Sequence, residues 1–379
     1  MNTQLEQCSN AYGTFQLQRL PLQKNQTLRA WDAADEYLLN YCDENKLLTA
    51  DSNILIINDQ FGALNTSLNQ FETKSWSDSY INELSSVHNL RINRLDKTLK
   101  AIPSTQEPEG TFDIVLIKVP KTMALLEDQL IKLKAHIRTE TVIISAGMVR
   151  NIHSSTLELF ARIIGTTKTS LAKKKARLIF TKFEKPEVIK PPYPNNLHIK
   201  SLGIYLKNHA NVFSKNKLDY ASLLLLEQFN QLPAAKHIVD LGCGNGVLGV
   251  MAQRQQPESK ISFIDESYMA VASAKLNYKN IDKDNDTASF IVGDGLSQLA
   301  EGGVDLVLCN PPFHQQHSIG DQTAWRMFTH SFKRLNTGGE LWIVGNRHLQ
   351  YSSKLKKIFG NSRVIVANEK FQVIAATKG

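Results

Sequence analysis

Two stretches of this 379-residue chain follow one plan, and that repetition limits the possible folds more than any single motif does. Trp31-Asp32-Ala33-Ala34 matches Leu218-Asp219-Tyr220-Ala221, 187 positions later. Gly62-Ala63-Leu64 follows the apolar run Ile54–Ile57 as Gly246-Val247-Leu248 follows Ile238–Leu241, at an offset of 184. Ser79-Tyr80 returns as Ser267-Tyr268 at 188, and Phe112–Leu116 as Val304–Leu308 at 192. Matches in order at nearly constant offset imply a duplicated α/β domain. Short apolar runs alternating with helical stretches imply a parallel, doubly wound sheet in each copy. The expected boundaries are a first domain over residues 1–185, a linker over 186–196 rich in proline (Pro186, Pro191, Pro192, Pro194), and a second domain over 197–379.

The copies differ where chemistry would sit. The second opens a strand into Asp240-Leu241-Gly242-Cys243-Gly244-Asn245-Gly246, while the first has Asn58 and Gln60 at the positions of Gly242 and Gly244. Ser77 stands opposite Asp265, and Lys118-Val119-Pro120-Lys121 stands opposite Asn310-Pro311-Pro312-Phe313. Side chains at the glycine positions obstruct backbone approach to a ligand, and lysine cannot accept a hydrogen bond from an amine. The first copy is therefore expected to fold without catalysing and to serve substrate binding.

In the second copy, glycines after His237–Leu241 free the backbone to contact a ligand, and Val247–Gln255 reads as the following helix. Asp265, 19 residues after Gly246, ends the next strand, where an acid commonly holds ribose hydroxyls. Asp294, after Phe290-Ile291-Val292-Gly293, is placed to accept from an adenine amino group. Dinucleotide dehydrogenases use a related loop, but Val247 occupies the third glycine position of their fingerprint. Asp240 points instead to S-adenosyl-L-methionine, whose methionine ammonium a carboxylate can pair with.

The run Asn310-Pro311-Pro312-Phe313-His314 follows the apolar strand Val304–Cys309. An aromatic or amidic NH₂ is a weak nucleophile because its lone pair is delocalised. The Asn310 side-chain oxygen and the Pro311 carbonyl can accept its two hydrogens, with the prolines stiffening the turn. Phe313 can stack on the base, and His314 can contact the base or its phosphate. Methyl transfer to nitrogen follows, with no metal needed. His314, His317 and Cys309 do not have the spacing of a zinc site.

From Arg162 to Lys190 nine Lys or Arg stand against two Glu, and Lys173, Lys174, Lys175 and Arg177 form the densest part. With a net charge of +8 this suits phosphate contacts, so an RNA partner is expected. The four cysteines, Cys8, Cys42, Cys243 and Cys309, form no C-x-x-C pair and are expected reduced. No apolar run reaches a membrane span and Met1–Glu6 lacks a signal-peptide layout, so a cytoplasmic location is expected. The chain is expected to act as a monomer.

On these motifs the chain resembles the bacterial ribosomal RNA guanine-N2 methyltransferases, which carry tandem class I methyltransferase domains with a degenerate first copy. Across His314-Gln315-Gln316-His317, Ala324-Trp325, Gly339–Val344 and Asn346–Leu349 it is most similar to the subfamily acting on 23S (large-subunit) RNA rather than 16S (small-subunit) RNA. The resemblance implies a Rossmann-like fold ending in an antiparallel pair, Arg363–Asn368 and Phe371–Thr377. It also implies an S-adenosylmethionine pocket lined by Asp240, Gly242, Cys243, Gly244, Gly246, Asp265 and Asp294, with the segment that carries Phe213, Ser214 and Asp219 closing over it. Asn310, Pro311 and Phe313 would meet the guanine. Ala210-Asn211 departs from a common Pro-Gly in that segment. A protein glutamine methyltransferase and a non-catalytic RNA-binding assembly factor are the rival readings.

Overall fold

The computed structural model describes residues 6–23, 27–213, 217–281, 287–312 and 317–379. The chain divides into two compact units, residues 1–192 and 193–379.

The first unit begins with an antiparallel hairpin, β1 (Glu6–Asn10) and β2 (Gly13–Leu17). Its main sheet takes β3 (Asn53–Ile57), β4 (Glu72–Ser77), β5 (Lys100–Pro103), β6 (Ile114–Lys118), β7 (Val142–Met148), β8 (Thr167–Thr169) and β9 (Ala176–Thr181). Their spatial order is β5-β4-β3-β6-β7-β9-β8, with β9 antiparallel to both neighbours and the rest parallel. The helices are α1 (Ala33–Glu44), α2 (Ala63–Ser67), α3 (Tyr80–Ile92), α4 (Met123–Leu133) and α5 (Ser154–Ile163).

The second unit repeats the plan. A hairpin of β10 (Asn195–Ile199) and β11 (Ile204–Asn208) precedes β12 (His237–Leu241), β13 (Lys260–Asp265), β14 (Ala288–Val292), β15 (Val304–Cys309), β16 (Leu335–Asn346), β17 (Arg363–Ala367) and β18 (Phe371–Thr377). The order β14-β13-β12-β15-β16-β18-β17 is that of the first sheet, strand for strand. The expected antiparallel end pair is β17 with β18. Its helices are α6 (Tyr220–Leu226), α7 (Val247–Gln255), α8 (Tyr268–Ile281), α9 (His317–Arg334) and α10 (Tyr351–Phe359).

Both sheets are covered on two faces, which is why their central strands read as unbroken apolar runs. In β15, Leu306 and Leu308 join one core, and Val307 and Cys309 the other. Trp342 and Val344 of β16 face the first core, and Leu341 and Ile343 the second. The first unit alternates likewise, with Leu55 and Ile57 on one side of β3 and Ile54 and Ile56 on the other. Each fully buried aliphatic contributes about 1.5–3 kcal/mol, so the central strands anchor the fold and hold the loops at their carboxyl ends. The order of strands reverses between β12 and β15, the place where such sheets open a crevice.

Candidate active site

Leu241 pairs with Cys309 across that reversal, so Gly242 and Asn310 leave the sheet side by side. The loop after β12 is held down at its start, because the N–H groups of Gly242 and Cys243 both donate to the Ile264 carbonyl, at 2.8 and 3.1 Å. Its three glycines have positive φ, for different reasons. At Gly246 (φ +79°) a Cβ would lie 2.8 Å from the Ala274 Cβ, so glycine lets α7 start against α8. At Gly242 (φ +69°) a Cβ would lie 3.2 Å from the Met327 Cε. At Gly244 (φ +54°) it would meet nothing within 4 Å. Gly244 therefore offers bare backbone to open space.

Asp265, at the end of β13, accepts from the Gly244 N–H through Oδ2 and from the Ser267 N–H through Oδ1, both at 3.0 Å. Burial pushes its carboxyl up, opposed by the backbone N–H groups of Ser267, Gly244 and Glu266. Asp240 lies one strand over and is 1% exposed. Its Oδ2 accepts from the Gly249 N–H at 2.8 Å, while its Oδ1 is buried with no hydrogen-bond partner among the described residues. Burial pushes this carboxyl up to about 8, and the charge of Asp265 adds to the effect. Cys243 is buried, which holds its thiol well above the usual range.

Asn310 is partly buried at the mouth of the sheet. Its amide nitrogen donates to Asp219 Oδ2 at 3.0 Å and to Ser222 Oγ at 2.8 Å. The amide oxygen is buried and, among the described residues, accepts from nothing. Both acceptors sit at the start of α6, where Asp219 also caps the helix by accepting from the Ser222 N–H at 3.2 Å. Pro311 is buried beside Asn310 and Pro312 is exposed.

The remaining candidates are more scattered. Gly293 donates to the Asp265 carbonyl at 2.9 Å, so the turn carrying Asp294 follows β14 close to Asp265. The Asp294 carboxylate is paired with Arg326 of α9, at 2.6 and 3.1 Å. Phe213 is 53% exposed. Ser214, Phe313 and His314 lie outside the described residues.

In the first unit Lys173, Lys174 and Lys175 form a tight turn closed by the Lys173–Ala176 bridge, with Lys174 and Lys175 at φ +48° and +63°. Lys174 pairs with Glu36 at 2.9 Å, the Lys173 ammonium lies 5.0 Å from the centre of the Tyr37 ring, and Arg177 enters β9. Two adjacent lysines at positive φ are conformationally costly, and such strain gathers at functional sites.

Ser222 and Arg326 escaped the sequence reading, and Asp219 was legible only as part of a segment. Asp219-x-x-Ser222 looks like an ordinary helix start, and its contact with Asn310 spans about ninety residues. The repeat carried the missing signal, because Asp35 and Lys118 of the first copy stand at the positions of Ser222 and Asn310.

A doubly wound sheet ending in a β17–β18 antiparallel pair, with a glycine loop after its first strand and Asn-Pro-Pro after its fourth, is the plan of the Rossmann-like methyltransferases. Family models agree: the RLMG N-terminal domain matches residues 5–185, and the methyltransferase small domain matches residues 203–375. The chain is 46% identical over 371 residues to the ribosomal RNA large subunit methyltransferase G of Psychromonas ingrahamii, covering 96% of this chain and 97% of that one. It is 45% identical over 376 residues to the protein of that name from Yersinia enterocolitica, covering 96% and 92%. Among solved structures it has the fold of the T. thermophilus 16S rRNA N2 G1207 methyltransferase, described in complex with AdoMet and guanosine. That match has a TM-score of 0.77 at 20% identity over 100% of this chain and 98% of that one. The chain belongs to the ribosomal RNA large subunit methyltransferase G family.

Proposed function

We propose that this chain transfers the methyl group of S-adenosyl-L-methionine to the exocyclic N2 amine of one guanine in 23S ribosomal RNA. One observation carries the reading. The Asn310 amide spends its nitrogen on Asp219 and Ser222 and keeps a buried oxygen without a partner among the described residues, beside a glycine loop with open space at Gly244. A buried acceptor left empty is costly unless a ligand donor fills it.

When bound, the cofactor supplies an electrophilic methyl group on a sulfonium sulfur. Asp240, with its unpartnered buried oxygen, fits a cationic ammonium. Asp265, fixed by backbone N–H groups at both carboxylate oxygens, takes the ribose hydroxyls in this reading. Gly242, Cys243, Gly244 and Gly246 offer the backbone between them, with Asp294, Phe213 and Ser214 completing the pocket. The amide oxygen of Asn310 and the carbonyl of Pro311 accept the two guanine hydrogens and stabilise the charge that develops on N2. Phe313 stacks on the base and His314 contacts it or its phosphate. The amine proton leaves to solvent afterwards.

In this reading residues 1–185 bind RNA through the Lys173–Arg177 turn, 186–196 link the domains, and 197–379 catalyse. The target guanine must be unpaired or flipped, which favours naked or partly assembled RNA. The chain acts in the cytoplasm as a monomer and without a metal. No described helix is long and apolar enough to cross a membrane.

The test incubates the purified chain with labelled S-adenosylmethionine and ribosomal RNA from a strain lacking the gene, then digests the RNA to nucleosides for mass spectrometry. N2-methylguanosine should form in 23S RNA with the wild-type chain and not with Asn310→Ala. Label found only in 16S RNA, only in protein, or nowhere would refute the reading.

A further inference from the structure

The Asn310 amide is symmetrical enough in shape to sit either way round, yet only one orientation presents an oxygen to an amine. The Asp219 contact chooses between them, and the Ser222 hydroxyl, able to donate or accept, supports whichever is chosen. Asp219 Oδ2 stands 3.0 Å from the amide nitrogen and Ser222 Oγ stands 2.8 Å from it. Turning the amide over would set its oxygen against the Asp219 carboxylate, two acceptors with no proton between them. Asp219 is itself anchored, because it accepts from the Ser222 N–H at the first turn of α6.

The first unit supplies an independent observation. At the position of Asn310 it carries Lys118, and the Lys118 ammonium lies 2.7 Å from Asp32 Oδ1 and 2.7 Å from Asp35 Oδ1. Asp32 caps α1 as Asp219 caps α6. Two oxygens at the start of a helix thus grip the nitrogen at the end of the fourth strand in both domains. The grip persists where catalysis has no residue to perform it.

We infer that Asp219 and Ser222 are positioning residues that lock the Asn310 amide with its oxygen toward the substrate amine. This rests on the guanine-N2 reading above. The Asp219 charge also polarises the amide it holds, which makes the Asn310 oxygen a stronger acceptor as positive charge grows on N2.

Kinetics on 23S RNA test this. Asp219→Ala should lower kcat about 100-fold and Ser222→Ala about tenfold, with KM for RNA and cofactor affinity unchanged. Asp219→Asn keeps a capping, accepting oxygen and should lie within about tenfold of wild type. The decisive arm is a swap. Asn310→Asp faces Asp219 with a second carboxylate and should be inactive. Adding Asp219→Asn restores one donor–acceptor pair and should recover at least about tenfold in kcat. Melting temperatures identify any variant that merely fails to fold, and the swap is read only among folded variants. Unchanged kcat in folded Asp219→Ala, or no recovery in the folded double variant, overturns the inference alone. A wild-type chain that leaves guanine unmethylated overturns the functional reading and this inference together.

Discussion

In both domains the residue closing the fourth strand of the main sheet has its nitrogen held by two oxygens from the start of the helix before the first strand, and the two residues differ in what they leave free. Asn310 keeps an oxygen with no partner among the described residues. Lys118 has none to offer, and its buried ammonium, 5% exposed, closes on Asp32 and Asp35. Serine suffices beside an amide, whereas a full positive charge out of water calls for the second carboxylate that Asp35 provides. One frame therefore supports either an acceptor or an ionic plug.

The loop after the first strand shows the same divergence. Asn58 keeps the positive φ of Gly242, at +63°, but its amide bonds to Gln129 Oε1 at 2.9 Å and faces the Lys118 carbonyl at 3.3 Å. Gly249 is pressed by Phe263, whose ring would lie 2.3 Å from a Cβ there. At the matching positions the first unit has Asn65 and Ser75, which bond to each other at 3.1 Å. Bulk has moved from strand to helix, and the Asn65 amide nitrogen is satisfied locally by Asp59, Ser75 and Ser86, while its oxygen has no partner among the described residues.

The strongest way to break this comparison is to build one site inside the other. Asn310→Lys with Ser222→Asp recreates the triad of the first unit in the second. Methyl transfer should fall by about 10³-fold or more, because the acceptor is gone and a cation stands in its place. The melting temperature should stay within a few degrees, as the Lys118 triad shows that the frame tolerates the charges. Substantial residual transfer would mean that position 310 does not meet the amine.

Next in size is Lys118→Met. It leaves Asp32 and Asp35 without their cation, a loss of about 3–5 kcal/mol near neutral pH. Asp35 is already pushed up to about 7, by burial first and the charge of Asp32 next, with Lys118 pulling the other way. Removing Lys118 raises it further. A carboxyl whose folded-state pKa lies above its unfolded value stabilises fully only below the unfolded value and loses that contribution as pH rises through the folded one. The deficit of the variant should therefore shrink between pH 7 and pH 5 in denaturant titrations. A deficit that grows on acidification would show that the triad is not what holds Lys118.

Much of this was readable in the chain. Constant offsets and buried apolar runs such as Ile114–Ile117 foretold two doubly wound domains of one plan, because parallel strands covered on both faces leave little choice of residue. Gly242, Gly244, Asp265 and Asn310 stood out since each marks a strand end where the backbone must turn. Asp294 shows where local reading stops. Its pairing with Arg326 depends on how α9 packs, which no window of sequence around position 294 contains. Lys118 could be seen to lack an acceptor, but its two partners lie more than eighty residues earlier.

A smaller effect should be the same in both domains. Gly62 and Gly246 begin matching helices at φ +80° and +79°, and a Cβ would approach Ser86 Cα to 2.5 Å in one and Ala274 Cα to 2.9 Å in the other. Alanine at either position combines left-handed strain with backbone overlap, about 2–3 kcal/mol each. Differential scanning calorimetry of the two variants would show whether the frame is equally tight in both copies. A large inequality would mean that one helix can shift where the other cannot.

The smallest change in stability carries the most information about the ligand. Gly244→Ala meets no atom within 4 Å and strains only its φ of +54°, so it should cost about 1 kcal/mol. Its counterpart in the first unit is Gln60, so the fold itself accepts a side chain there. What the alanine methyl enters is the space beside the Gly244 N–H, whose partner is the Asp265 carboxylate. If S-adenosylmethionine lies against that backbone, its affinity in calorimetric titration should drop by about tenfold or more while melting barely moves. An affinity equal to wild type would place the cofactor elsewhere, and the open space at Gly244 would no longer distinguish the active copy from the silent one.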